Sequence, residues 1–227
     1  MLSFEVKYTV KKYFLYLFSF GLLFPFLLYA MNFGSIPEKI IQKAEEKYGV
    51  YARNRYEVYN KKLIQLKNSP TRTKLEEINN FFNNVPYSKD MKIWGKKDYW
   101  ATPLEFLGKD KGDCEDYVIA KYFALRTLNI KSEQLFFSYV KSKRFKGGHM
   151  VLSYFETPTS IPLILDNTNF KIFSADKRKD LIPIYNFNGE ALYLAQKQGK
   201  QGKSVTKQNK IHKKWDRLMN DIKRNKI

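Results

Sequence analysis

The stretch GDCEDYVIAKYFAL, residues 112–125, contains the only cysteine of the chain, Cys114. Beyond its first residues the stretch is apolar on nearly every face, which predicts a helix over Cys114–Leu128 at the centre of the core. Free backbone N–H groups and the helix dipole at the start of such a helix stabilise a thiolate. Negative charge beside a thiol opposes its ionisation, and three carboxylates crowd this cysteine: Asp113, Glu115 and Asp116. The stretch therefore predicts a cysteine at a helix N-terminus. Its acidic neighbours oppose formation of the thiolate, so their presence requires an explanation.

Length and composition indicate one domain of ordinary size with a hydrophobic core. The chain has 227 residues, of which 44% are hydrophobic and 16% aromatic, and this composition excludes a disordered chain. The formal net charge of +19 favours anionic partners such as lipid headgroups, nucleic acid or an acidic protein. A single cysteine excludes an internal disulfide, and with two histidines it argues against a structural zinc site of the Cys/His type.

Residues 1–34 are predicted to form a signal peptide or a membrane anchor. Lys7, Lys11 and Lys12 precede an uncharged apolar run over residues 13–31. Lysines on that side keep the N-terminus in the cytoplasm, so the rest of the chain is expected to be exported. A buried core helix is the alternative, which the position at the extreme N-terminus disfavours. The sequence leaves open whether the segment is cleaved or anchors the chain in the inner membrane.

Helical patterns fill the next part of the chain. Apolar residues recur at helical spacing over residues 36–67, and we predict one helix there with Pro37 near its start. A second helix is predicted over Lys74–Asn84, with Thr73 as its cap. Residues 86–111 have no clear period and are expected to be irregular, with aromatic and proline side chains as packing anchors.

The hydrophobic pattern changes from helical to strand-like beyond Asn129. Segments rich in β-branched and aromatic residues, separated by turn signals, predict four strands: Leu135–Lys141, His149–Phe155, Pro162–Asn167 and Leu181–Tyr185. Helices followed by strands predict an α+β fold, in which N-terminal helices and the central helix pack on an antiparallel sheet. We place this domain at residues 35–195.

A basic C-terminal tail follows over residues 196–227. Eleven lysines and arginines stand against two aspartates in it. Residues 197–210 are typical of a flexible linker, whereas the second half predicts a basic helix around four apolar residues: Ile211, Trp215, Leu218 and Ile222. The charge of the tail suits an anionic membrane surface or an acidic protein, but a solvated lysine-rich end explains it equally well.

Three residues on three predicted elements could form a catalytic triad. Cys114 begins the central helix, His149 opens a strand after two glycines, and Asp166 closes another strand. A cysteine nucleophile, a histidine base and a carboxylate that orients the base are what thiol catalysis needs. Each residue alone also has an ordinary structural explanation, so the residues by themselves leave catalysis and structure evenly balanced.

A resemblance to a known family rests on five segments: residues 98–105, 112–117, 120–123, 149–152 and 162–167. The combination of GDCEDY with HMVL and PLILDN, in this order and at these spacings, resembles the bacterial transglutaminase-like cysteine proteinases and, among them, the LapG-type periplasmic proteases. The resemblance implies a papain-like α+β fold with Cys114 as nucleophile, His149 as base and Asp166 as orienting acid. It does not extend to the basic tail.

The resemblance also implies a calcium ion bound by Glu115 and Asp116. Carboxylates are hard oxygen ligands that suit Ca²⁺, and a bound cation would offset the charge that opposes the thiolate. The alternative is that acids in the first turn complement the helix dipole, with Asp113 as a cap. Trp100 is a further candidate, since a tryptophan upstream of the cysteine lines the site in related enzymes, although packing explains it equally well.

The function that the resemblance implies is proteolysis in the periplasm. The substrate would be the N-terminal region of a large cell-surface adhesin, and an inner-membrane cyclic-di-GMP receptor would inhibit the protease, so that cleavage controls biofilm attachment and dispersal. No nucleic-acid partner is expected under this interpretation. Two alternatives stay open: a transglutaminase-type acyl transferase with the same triad, and a non-enzymatic basic module that binds anionic lipid or nucleic acid.

Overall fold

The computed structural model describes residues 35–144, 147–188, 192–195, 201–204 and 210–227. The predicted signal peptide or anchor, residues 1–34, lies outside the described residues. Within the described part of the chain, no helix combines the length and the apolar character needed to cross a membrane. The described residues belong to one compact unit, Phe33–Ile227.

The described helices are seven in number: α1 (Glu38–Tyr48), α2 (Val50–Leu66), α3 (Thr71–Asn83), α4 (Asp90–Trp94), α5 (Pro103–Lys109), α6 (Cys114–Thr127) and α7 (Lys210–Lys223). The prediction of one helix over residues 36–67 is wrong, because Gly49 separates α1 from α2. Gly49 has a φ of 85°, a left-handed conformation that glycine adopts without steric cost and that ends a helix. The two helices then pack against each other.

The start of α3 and the stretch before α6 also differ from the predictions. α3 begins at Thr71 after Pro70, so Thr73 lies inside the helix and does not cap it. Residues 86–111, predicted to be irregular, contain α4 and α5. Thr102 and Glu105 form a reciprocal cap at the start of α5: the Thr102 hydroxyl accepts from the Glu105 N–H at 3.0 Å, and the Glu105 carboxylate accepts from the Thr102 N–H at 2.9 Å.

The described strands form one sheet with seven members: β1 (Leu135–Ser142), β2 (Gly148–Tyr154), β3 (Leu163–Asp166), β4 (Asn169–Ser174), β5 (Leu181–Phe187), β6 (Leu192–Ala195) and β7 (Gln201–Ser204). Their order is β4-β3-β2-β1-β5-β6-β7, and each neighbouring pair is antiparallel. The α+β prediction with an antiparallel sheet is confirmed. The predictions missed β4, β6 and β7, and β7 lies inside residues 197–210, which we expected to be a flexible linker.

The centre of the core is α6, as its apolar sequence predicts. Every residue from Tyr117 to Leu125 is buried. α6 contacts α3 and α5 as well as β2 of the sheet. A helix with partners on several sides can bury apolar side chains all round its axis, and it holds its first residue, Cys114, against the sheet.

The C-terminal helix α7 packs on the same core. The prediction of a helix here is confirmed, but α7 belongs to the packed domain: Leu218 is fully buried, and Trp215 stacks on Phe123 with 6.2 Å between ring centroids. α7 and the residues after it also hold the loop before α5. Arg217 donates to the Trp100 carbonyl at 3.1 Å, and the Thr102 hydroxyl donates to the Lys226 carbonyl at 2.8 Å.

Candidate active site

Cys114 is the first residue of α6, and the backbone before it is tightly packed. Asp113 takes the N-cap position, and its N–H donates to the Asp116 carboxylate at 3.3 Å. A Cβ at Gly112 would lie 2.4 Å from the Phe106 ring and 2.8 Å from the Asp116 Cβ. Only glycine therefore fits two residues before the cysteine, where the chain passes between α5 and α6.

The sulfur of Cys114 contacts its own helix and the neighbouring strand β2. The Sγ atom lies 2.7 Å from Oε2 of Glu115, and the backbone N–H of Met150 in β2 donates to the same sulfur. Burial raises the pKa of the Cys114 thiol well above its usual value, and the charges of Glu115 and Asp113 raise it further, while the Met150 N–H lowers it. The Met150 contact brings β2 to the cysteine, at the residue that follows His149.

His149 and Asp166 form a buried pair on neighbouring strands. His149 is 5% exposed in β2, Asp166 is 1% exposed at the end of β3, and His149 Nε2 lies 2.9 Å from Asp166 Oδ1. The glycine before the histidine is required by packing, because a Cβ at Gly148 would lie 1.9 Å from the Tyr139 hydroxyl. The pairing of His149 with Asp166 is the arrangement that an orienting carboxylate needs.

Asp166 has two further partners that the sequence did not indicate. The Thr168 N–H donates to Oδ1 at 2.9 Å, and Arg178 donates to Oδ2 at 2.7 Å. Burial by itself would raise the pKa of Asp166, but His149, the Thr168 N–H and Arg178 together hold it well below its usual range. The carboxylate next to His149 is therefore ionised at neutral pH.

A buried lysine lies behind the histidine–aspartate pair. Lys121 of α6 is 0% exposed and donates to Asn79 Oδ1 at 2.8 Å and to Asn83 Oδ1 at 2.6 Å. The amide of Asn83 in turn donates to the Asp166 carbonyl at 2.8 Å. Burial lowers the pKa of Lys121 to about 7. These hydrogen bonds connect α6 to the backbone of Asp166, the residue that pairs with His149.

A cluster of three carboxylates lies beside Cys114. Asp90, Asp113 and Asp116 place one carboxylate oxygen each within 4.8 Å of one another. The Asp116 carboxylate accepts from the Ala101 N–H at 2.8 Å, while Oδ1 of Asp90 and Oδ1 of Asp113 are buried with no hydrogen-bond partner among the described residues. Burial raises the pKa of each of these carboxylic acids, that of Asp113 to about 10, and their mutual repulsion adds to it.

The two predicted metal ligands have different surroundings. Asp116 belongs to the three-carboxylate cluster, whereas Glu115 groups with Asp113 and Cys114 within the same 4.8 Å limit. Asp113 is common to both groups. Sequence reasoning missed Asp90 because it stands on a separate short helix, with no spacing pattern that connects it to GDCEDY.

Trp100 is a core residue in this structure. Its side chain is 2% exposed and stacks on Phe187 and Phe137, with 5.8 Å and 6.5 Å between ring centroids. The structure therefore favours packing over a role in lining the site. The loop that carries Trp100 still matters to the site, because the next residue, Ala101, donates its N–H to Asp116.

Comparison with known proteins shows the family of the chain. The family model of the bacterial transglutaminase-like cysteine proteinases (BTLCP) matches residues 51–180. Calcium-bound LapG of Legionella pneumophila is 40% identical with a TM-score of 0.70, over 82% of this chain and 99% of that chain. EGTA-treated LapG of the same organism is 39% identical with a TM-score of 0.69, over 82% and 96%. No curated protein matches. The chain therefore belongs to the bacterial transglutaminase-like cysteine proteinase family.

Proposed function

We propose that this protein is a calcium-dependent, exported cysteine endopeptidase with Cys114, His149 and Asp166 as its catalytic triad. The observation that carries the proposal is the contact of β2 with the sulfur of Cys114, one residue along the strand from the His149–Asp166 pair. Cys114 begins α6, β2 donates the Met150 N–H to it, and the residue before Met150 is a histidine held 2.9 Å from an ionised aspartate. Membership of a cysteine proteinase family supports the same assignment.

The proposed reaction follows from the nitrogen that Asp166 engages. Nε2 of His149 faces Asp166, so Nδ1 is the nitrogen that takes the thiol proton of Cys114. The resulting thiolate attacks the scissile carbonyl, and backbone N–H groups in the first turn of α6 stabilise the oxyanion. The imidazolium then protonates the leaving amine, and water, deprotonated by His149, hydrolyses the thioester. Asp166 stabilises the imidazolium in both halves of the reaction.

The calcium dependence is proposed from the acidic cluster and from the relatives. Asp90 Oδ1 and Asp113 Oδ1 are buried and find no hydrogen-bond partner in the described part of the chain, and together with Asp116 they offer the hard oxygen ligands that Ca²⁺ prefers. LapG of Legionella pneumophila has a calcium-bound and an EGTA-treated structure. When bound, the ion would offset the repulsion between carboxylates next to Cys114. Asp90, Asp113, Asp116 and the nearby Glu115 are the residues proposed to hold it.

The substrate and the setting are proposed from the family resemblance. The substrate would be the N-terminal region of a large cell-surface adhesin, cut in the periplasm, and the inhibitor an inner-membrane cyclic-di-GMP receptor. Loss of the inhibitor would release the protease, shed the adhesin and disperse the biofilm. The apolar N-terminal segment, preceded by three lysines, supports export and attachment to the inner membrane.

The triad is tested by cleavage of the adhesin's N-terminal region, followed by mass spectrometry of the products. Cys114→Ala and His149→Ala are expected to abolish cleavage, and Asp166→Asn to leave a small residual rate, because orientation contributes less than the nucleophile. Asp176→Asn is the matched control, since it removes an exposed aspartate. Full cleavage by the Cys114→Ala protein would refute the assignment. Products that carry an added amine in place of water would identify an acyl transferase.

A further inference from the structure

Arg178 connects the carboxylate of the proposed triad to a second carboxylate. It follows the short 3-10 turn Ala175–Lys177, between β4 and β5, and its side chain is 4% exposed. One terminal nitrogen donates to Asp166 Oδ2 at 2.7 Å and to Asp180 Oδ2 at 2.9 Å. Its Nε donates to Asp180 Oδ1 at 2.9 Å. The guanidinium is therefore held by Asp180 on one edge and presented to Asp166.

We propose that Arg178, oriented by Asp180, is a positioning residue that fixes Asp166 in the orientation that holds His149. This inference rests on the proposed triad. The two oxygens of the Asp166 carboxylate have separate duties: Oδ1 faces His149 and the Thr168 N–H, and Oδ2 faces Arg178. Rotation of the carboxylate by half a turn would place Oδ2 against His149 and Oδ1 against Arg178. A planar guanidinium, itself fixed by two bonds to Asp180, opposes that rotation because its donors have a rigid direction.

Charge gives Arg178 a second effect on the same carboxylate. Burial favours the neutral acid, and a neutral Asp166 would stabilise an imidazolium far less than an ionised one. Arg178 favours the ionised form. The charges of Asp166, Arg178 and Asp180 sum to one negative charge. Arg178 therefore does not cancel the negative charge that stabilises the His149 imidazolium. Other charged groups of the described residues near this unit include Lys121 behind Asp166, Arg144 at 3.6 Å from Asp180, and Glu115 beside Cys114.

A purely structural ion pair is the competing explanation. Buried ion pairs contribute little net stability, since desolvation offsets most of the attraction. Arg178 also leaves NH1 buried with no hydrogen-bond partner among the described residues, which is costly. An apolar side chain would fill such a space at least as well. An arginine that reaches two carboxylates, one of them against His149, is better explained by the orientation of Asp166.

The test measures alkylation of Cys114 by iodoacetamide against pH, with Ca²⁺ present, in the full chain. Because Cys114 is the only cysteine, intact mass reports that residue alone. Arg178→Gln is expected to slow alkylation near neutral pH by roughly 10- to 100-fold, less than the ~10⁴-fold loss seen when the orienting aspartate of a triad is itself replaced. The acid limb of the pH profile of the alkylation rate should move to higher pH, since Asp166 loses the partner that keeps it ionised. Arg178→Lys should restore part of the rate, because it keeps the charge but loses the rigid fork.

Two further variants keep the outcome decisive. Asp180→Asn weakens the hold on Arg178. Because Asp180 is only half-buried, this variant should fold, and its alkylation rate should lie between those of wild type and Arg178→Gln. Arg144→Gln, which removes an exposed arginine that contacts Asp180 but not Asp166, should stay within about twofold of wild type.

Each result bears on one claim. Folded Arg178→Gln and Asp180→Asn proteins with wild-type profiles would overturn the positioning role and leave the triad intact. A His149→Ala protein with the wild-type profile would overturn the triad itself. If Arg178→Gln fails to fold by circular dichroism, Asp180→Asn and Arg178→Lys decide: wild-type profiles in both refute the proposal, and slowed alkylation with a raised acid limb supports it.

Discussion

Leu218→Ala tests whether the C-terminal helix is part of the core. Leu218 is 0% exposed and belongs to the main hydrophobic cluster together with Trp215. Truncation of a fully buried leucine to alanine costs about 2–5 kcal/mol, from lost burial and from the cavity left behind. For a domain of this size each kcal/mol lowers the melting temperature by about 2–4 °C. A fall of roughly 10 °C is expected.

The measurement is thermal unfolding followed by circular dichroism at 222 nm, with denaturant titration to give the free energy of unfolding. Asn220→Ala, on an exposed position of the same helix, is the matched control and should change stability by less than about 0.5 kcal/mol. A Leu218→Ala protein as stable as the control would mean that α7 does not pack on the core. Residues 210–227 would then lie outside the packed domain.

Two further predictions concern the acidic cluster and the buried lysine. EGTA should stop cleavage, and Ca²⁺ should restore it better than Mg²⁺, which requires a tighter octahedral shell; Ca²⁺ should also raise the melting temperature of wild type but not of Asp90→Asn. Full cleavage in EGTA would refute the calcium proposal. Burial lowers the pKa of Lys121 to about 7, whereas an unfolded lysine titrates at about 10.4. Between these values the folded state binds fewer protons than the unfolded state, so Lys121 makes stability rise with pH, by up to about 1.4 kcal/mol per pH unit. The free energy of unfolding of wild type minus that of Lys121→Met should increase accordingly from neutral to alkaline pH, and a constant difference would show that Lys121 does not titrate there.

The helices and strands that sequence reasoning found share a strong local signal. α6 is apolar on nearly all faces, and β1, β2, β3 and β5 carry β-branched and aromatic runs between turn residues. The misses have weak local signals. A single glycine divides α1 from α2, and α4 has only five residues. α5 is the exception, because Thr102, Pro103 and Glu105 form a capping-box signature at its start that the prediction overlooked. The glycines and lysines around β7 gave no strand pattern, and pairing with β6 forms that strand.

The sequence by itself determined which residues have the chemistry of the site. Cys114, His149 and Asp166, the proposed triad, each stand at the end of an element with a clear local pattern, and GDCEDY places acids next to the cysteine. Only the tertiary structure decided which groups act on them. Asp90 joins the acidic cluster from another helix, Arg178 reaches Asp166 from the turn after β4, and α7 fastens the loop before α5. Hydrogen bonds and electrostatic interactions depend on distance in space, and sequence patterns report only neighbours along the chain.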